Sequence, residues 1–423
     1  MKLLALLTFT VVIVVGGQQL QAQEKSSEIT PLISSSVITS IEITGLKRTR
    51  QHIAQYPLEK FLGRDASLDL NEVHAAVIAT GILQPLEVEL LENEGALVLH
   101  ITVEEKWSIF PVPLVMANSD DFSFGLFFAD TNAFGLQDTM ALGAIYGYPS
   151  WMAVALYQFT PNRRGLPGWS SFVMYSSQER KDVDRNEKTH RLYSSNQLRF
   201  SLGLDYPLSE YFSTSLGFSF TDVSLKENAV AVNQPGGDAK LLGISPSLSM
   251  KDDLWDGFLL SRRSLNLAYE YNHAIVGSSF HQLEFSGIYE HSLVPGFRIN
   301  FRSGAIWKST ASDSGIGPLF EEGPQRAHVD ILPHNFSARA YAGFSLGLEK
   351  HLFKVSWGTL SVMGSWQCVF SNGPISGFEF DHGPSVVTRF YLSRLALPAF
   401  GAGFAYNMNS GLFQFAFSIG MSL

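Results

Sequence analysis

The chain has one cysteine in 423 residues, Cys368, so no internal disulfide framework can hold it together. No Cys/His grouping has the spacing of a zinc site, and no metal is assigned. Cys368 falls on the apolar face of its segment and reads as a small hydrophobe. Charge is scarce too: Asp, Glu, Lys and Arg make up 16% of the sequence, where soluble proteins carry roughly a quarter. The net charge is −9 with no block of Lys or Arg, which excludes the electrostatic footprint of a nucleic-acid binder. There is no His-Glu-x-x-His and no phosphate loop, and His281, His291, His328 and His334 are scattered. The chain is therefore read as no enzyme, with no catalytic residue and no cofactor. Beyond the first residues no apolar run is long enough for a transmembrane helix. For an exported protein that lives in a membrane, a closed barrel is then the remaining way to satisfy the backbone.

What is present falls into unequal parts. Lys2, an apolar run from Leu3 to Val15 and the small residue Ala22 read as a cleaved signal peptide over residues 1–22, followed by a linker at 23–36. Residues 37–106 form a small α+β unit. "SVITSIEITG" alternates and stops at Gly45, and "KRTRQHIAQYPLEKFLG" has helical spacing. "DLNEVHAAVIATG" opens on Asp69 as N-cap and ends at Gly81. "LEVELLENEGALVLHITVEE" is two strands about a turn. The order is strand, helix, helix, strand, strand.

From 107 to 423 helical periodicity gives way to alternation, and the fold expected is an all-β transmembrane barrel of about 16 antiparallel strands. Strands are expected to begin near Ser108, Phe122, Leu136, Trp151, Trp169, Ser195, Tyr211, Ala239, Arg263, Ser279, Phe297, Tyr341, Thr359, Ser385, Leu397 and Leu412. The longest connections follow odd-numbered strands, which puts long loops on one rim and short turns on the other. "RKDVDRNEK" is read as a solvated outer loop and "DDLWDG" as a turn. In the closing strand, Phe413, Phe415 and Phe417 lie on one face, directed to lipid.

The phrases "ITGLKRTR" and "ITVEEKW" make the first unit resemble a single POTRA (polypeptide-transport-associated) domain. One such domain before a sixteen-stranded barrel resembles the BamA/TamA superfamily of insertases and secretion pores. "ADTNAFG" at the first periplasmic turn, "KDDLWDG", "ILPHNFSARAYAG" and the ending "LSRLALPAFGAGFAYNMNSGLFQFAFSIG" carry the likeness. The resemblance implies a bacterial outer-membrane barrel with the small domain in the periplasm. It also implies an arginine motif on a loop folded into the lumen, here Arg339 and Tyr341, with Ala340 in place of the usual glycine. Glu349, on the inward face of the next strand, is expected to pair with Arg339, and Asn372 to stand where the family often has a second acid.

Pro111 and Pro113 in the first barrel strand lack N–H donors on one side. They are expected to face the last strand and make a weak seam, to which a client strand can add. The expected partners are outer-membrane lipid, unfolded client proteins, and periplasmic chaperones or accessory lipoproteins. The alternative is a passive pore or a structural, adhesive barrel.

Overall fold

Alternation of apolar and small polar residues dictates strands, and the structure, a computed structural model, is almost wholly strand after Ser108. It describes residues 37–419 apart from 94–95, 120, 160–165, 210, 228–229, 234–236, 257–258, 310–327, 356–357, 374–376 and 393–397. The leader and linker expected over 1–36 lie outside the described residues.

The N-terminal unit runs β1 (Ile38–Thr44), α1 (Gln51–Gln55) continued by a 3-10 turn (Tyr56–Phe61), α2 (Leu70–Ala79), β2 (Leu83–Asn93) and β3 (Ala96–Glu105). This is the order expected. β3 is central, parallel to β1 and antiparallel to β2. Ile41, Ile43, Leu99 and Ile101 pack on Leu58, Phe61, Val73 and Val77, so one sheet face is sealed by the helices. The Asp69 side chain accepts the Asn71 N–H at 2.9 Å, satisfying one of the donors left open at the start of α2.

The barrel strands are β4 (Ile109–Asn118), β5 (Phe122–Asp130), β6 (Thr139–Gly147), β7 (Ser150–Phe159), β8 (Gly168–Val183) and β9 (Thr189–Pro207). They continue as β10 (Phe212–Leu225), β11 (Ala239–Asp256), β12 (Leu259–Val276), β13 (Phe280–Val294) and β14 (Phe297–Lys308). The last five are β15 (Ala340–Val355), β16 (Gly358–Gly373), β17 (Gly377–Leu392), β18 (Pro398–Tyr406) and β19 (Phe413–Ile419). Each pairs antiparallel with its chain neighbour, and β19 returns to β4, closing sixteen strands into a barrel.

Leu198, Phe200, Leu202, Leu204 and Tyr206 are exposed on the outside of β9, where only hydrocarbon solvates them well. Aromatic pairs mark both rims: Trp151–Tyr175 at one, with centroids 5.4 Å apart, and Tyr157–Trp169 at the other, at 4.6 Å. Wall height is uneven. β4 to β7, β18 and β19 have 7 to 10 residues, while β8 to β17 have 12 to 19.

Three local expectations are corrected. "RKDVDRNEK" is not a solvated loop: β8 continues to Val183, β9 resumes at Thr189, and Asp182 and Val183 are buried. "DDLWDG" is strand rather than turn as far as Asp256, with Asp252 paired to Arg263 at 3.9 Å. β17 begins at Gly377, before Ser385. These segments project past the apolar belt, where neither face has to be apolar. The ladder hydrogen bonds persist there, but the alternation that signals a strand does not.

Candidate functional site

The barrel closes through its shortest described ladder, Val115–Asn118 against Ala416–Ile419. On the opposite edge β4 pairs with β5 over its whole length except Asn118. That ladder is bounded by Asn118 N–H donating to the Asp121 carbonyl at 2.9 Å and Thr131 N–H to the Ser108 carbonyl at 3.0 Å. Bonded pairs alternate in an antiparallel ladder, so the even positions of β4 bond to β5. The odd ones, Pro111 and Pro113 included, turn their backbone nitrogens to the edge on which β19 lies. Phe413, Phe415 and Phe417 share the outward parity of β19, while Gln414 and Ser418 face in and are buried.

Inside the barrel, the end of the connection before β15 packs as a plug. Val329, Ile331, Leu332, Phe336 and Ala338 are buried against Ile306, Tyr341, Val369 and Ala405 of the wall. Asp330 and Gln367 exchange hydrogen bonds at 2.6 and 3.1 Å, and His328 Nε2 lies 3.0 Å from Ser286 Oγ. Tyr341 is thus part of the plug contact.

Arg339 and Glu349 are not brought together. Glu349 lies ten residues along the strand line from Arg339, about 33 Å when extended, far beyond a side chain's reach. Arg339 uses its backbone at the rim, donating to the Asn372 carbonyl at 3.3 Å and accepting from Lys308 N–H at 3.1 Å. Asn372 cannot stand in as a lumenal acid. It pairs with Ala340, and in β15 and β16 the inward residues are the odd ones.

Glu349 instead belongs to a buried charge cluster near the opposite rim. Arg298, directly across the ladder, donates to its Oε2, and Arg389 lies 3.7 Å from the same oxygen. Tyr391 and Ser361 donate to Oε1 at 2.9 and 2.5 Å. Glu290 receives Arg298 at 3.1 Å and Arg302 at 2.8 Å. Three arginines and two glutamates therefore tie β13, β14, β15 and β17 together, and Ser361 adds β16. The alternation Arg298, Asn300, Arg302 on one face of β14 was a legible sign of these inward cations.

The small domain docks on the turn after β5. Arg48 donates to Asp130 at 2.9 Å, to Ser108 Oγ at 3.1 Å and to the Ala133 carbonyl at 3.0 Å. Asn132 bonds Thr49 Oγ1 at 2.9 Å, and Arg50 N–H reaches the Gly135 carbonyl at 2.9 Å. Glu105 gathers the N–H groups of Lys47, Arg48 and Thr49 at 2.7–3.1 Å. Partial burial pushes its carboxyl pKa up, but these donors outweigh that and hold it below the ordinary value.

The string Gly343-Phe344-Ser345-Leu346-Gly347 has the letters of a hydrolase nucleophile elbow, a motif the sequence was expected to lack. It lies mid-ladder in β15, with Ser345 paired to Arg302 and Gln367, rather than on a strand-to-helix turn. Among the described residues no group of His, Cys, Asp and Glu is arranged to hold a metal ion.

No family model matches the chain, and no curated protein does. Solved structures share its fold. BamA from Haemophilus ducreyi lacking POTRA domains 1–3 superposes with a TM-score of 0.65 at 11% identity, covering 91% of this chain and 84% of that one. CdiB from Acinetobacter baumannii gives 0.62 at 13% identity over 91% and 74% of the two chains. CdiB from Escherichia coli gives 0.62 at 12% over 91% and 76%. The fold of this chain, a small α+β unit followed by a closed sixteen-stranded barrel, is the fold of these proteins.

Proposed function

We propose that the chain is an outer-membrane member of the BamA/TamA superfamily, with residues 37–106 as a POTRA domain in the periplasm. It assists the membrane insertion or secretion of client proteins at the β4/β19 seam. The observation that carries this reading is the pair of prolines, Pro111 and Pro113, whose backbone nitrogens turn to the same edge of β4 that pairs with β19 through four residue pairs among the described residues. An edge that lacks donors pairs weakly, and a client strand entering lipid gains several kcal/mol for each backbone group it pairs. The domain's β2 lies at the edge of its sheet with Leu86 and Leu91 exposed, so it offers a strand-addition site to an unfolded client, a periplasmic chaperone or an accessory lipoprotein. The apolar plug weighs against a passive pore, whose lumen would be polar and open.

Met116 and Ser418 are ladder partners across the seam. Met116→Cys with Ser418→Cys places a disulfide there within the usual Cα separation. In liposomes given an unfolded barrel client, oxidation should stop assisted insertion while leaving a folded barrel, and reduction should restore it. Insertion unaffected by the cross-link rejects the seam, and solute leakage without insertion favours the pore.

A further inference from the structure

The tip of the β8–β9 hairpin, Asp184 to Lys188, crosses the barrel mouth. It is self-braced: Asp184 Oδ1 accepts the N–H groups of Asn186 and Lys188 at 2.8 and 2.9 Å. Its stem is fixed by Asp182, which pairs with Arg180 at 2.8 Å and with Arg191. From this rigid base Arg185 reaches two inward acids of β17, Glu379 at 3.5 Å and the fully buried Asp381 at 3.8 Å. In strand order β9 and β17 are half the barrel apart, so the pairing spans the mouth. Glu187 accepts from Gln414 of β19 at 3.0 Å. Gln414 stands two residues outward from Ala416, where the described ladder to β4 begins. Val183 N–H donates to the plug at the Asn335 carbonyl, 3.0 Å, so the hairpin is joined to the plug.

We propose that this hairpin is a latch: Arg185 and Glu187 hold the mouth shut and pin the outer end of β19, and releasing them frees the closing strand. The mouth closure stands on the contacts alone, whereas the consequence for β19 rests on the seam reading above. The Arg185 contact is not a strong one. Arg185 is partly exposed and its distances are long for an ion pair, which suits a catch that has to open.

The purified full chain in planar bilayers tests this. Arg185→Ala and Glu187→Ala should each raise the fraction of time in a conducting state about fivefold, the equilibrium shift of one modest contact. Arg185→Glu should do the same, and Arg185→Glu with Glu379→Arg should return the channel to the parent level. Heat-modifiable mobility establishes that each variant is folded. Conductance indistinguishable from the parent in all the single variants overturns the latch. Increased conductance with no client insertion by any form keeps the latch and rejects the insertase reading. Increased conductance together with faster insertion supports both.

Discussion

Arg298 on β14 and Glu349 on β15 stand directly opposite each other in the ladder and bond inside the barrel, both sealed from solvent. Glu349 is the carboxylate that the buried Arg298 and Arg389 share, and removing its charge, with Glu290 left to hold Arg298, should cost about 3 kcal/mol, the low end for breaking a buried pair. Glu349→Gln, which keeps the shape and removes the charge, should lower the urea midpoint of the barrel in detergent accordingly. Arg302, a quarter exposed, has Glu290 as its ion-pair partner among the described residues. Arg302→Ala should therefore cost no more than about 1 kcal/mol. Equal losses in the two variants would contradict the cluster's arrangement.

The strands were legible because each crosses a boundary that demands one apolar face, and the sixteen expected segments are the sixteen observed. What stayed illegible follows from the same physics. Arg180 to Lys188 carries charge on both faces because it lies beyond that boundary, so strand and loop have the same signature there. The partner of Glu349 was misassigned because register across the connection between β14 and β15 is not written in local sequence. Arg339 is near in the chain, but Arg298 is opposite in space. The docking of the small domain is half visible in the sequence: the phrases that contain Arg48, Glu105 and Asn132 each carry the family likeness. That they meet depends on how β4 leaves β3, which no periodicity encodes.

Restoring donors at the closure should strengthen it. Pro111→Thr with Pro113→Val returns two N–H groups to the edge directed at β19, each worth about 1 kcal/mol if paired. Higher thermal stability together with slower client insertion is expected in the liposome assay. Faster or unchanged insertion by a stabilised barrel would separate seam strength from activity.

Glu105 makes the domain junction sensitive to acid. Its folded pKa lies below the unfolded value, so its contribution to stability is complete above the unfolded carboxylate pKa. It is lost as pH falls through the lowered folded value. Hydrogen exchange at Lys47, Arg48 and Thr49 should accelerate across that acid window relative to the core of β3. Glu105→Gln should abolish the window, because the amide does not titrate.

Gly135 fixes how the domain sits beneath the barrel. It has φ +73°, and a Cβ there would stand 2.1 Å from the Arg48 carbonyl oxygen. Gly135→Ala therefore combines left-handed strain of about 1–2 kcal/mol with a backbone clash that no rotamer relieves. The expected result is an undocked domain on an intact barrel: unchanged heat-modifiable mobility, but faster proteolysis at the exposed Lys106–Trp107 junction. Arg48→Ala removes the contacts to Asp130 and Ser108 yet spares the close approach, so its effect should be smaller. Ser108 immediately precedes β4, which places the docked domain on one flank of the seam. If that placement delivers clients, Gly135→Ala should slow insertion more than it destabilises the barrel. Full insertion by an undocked domain would mean that its orientation contributes nothing.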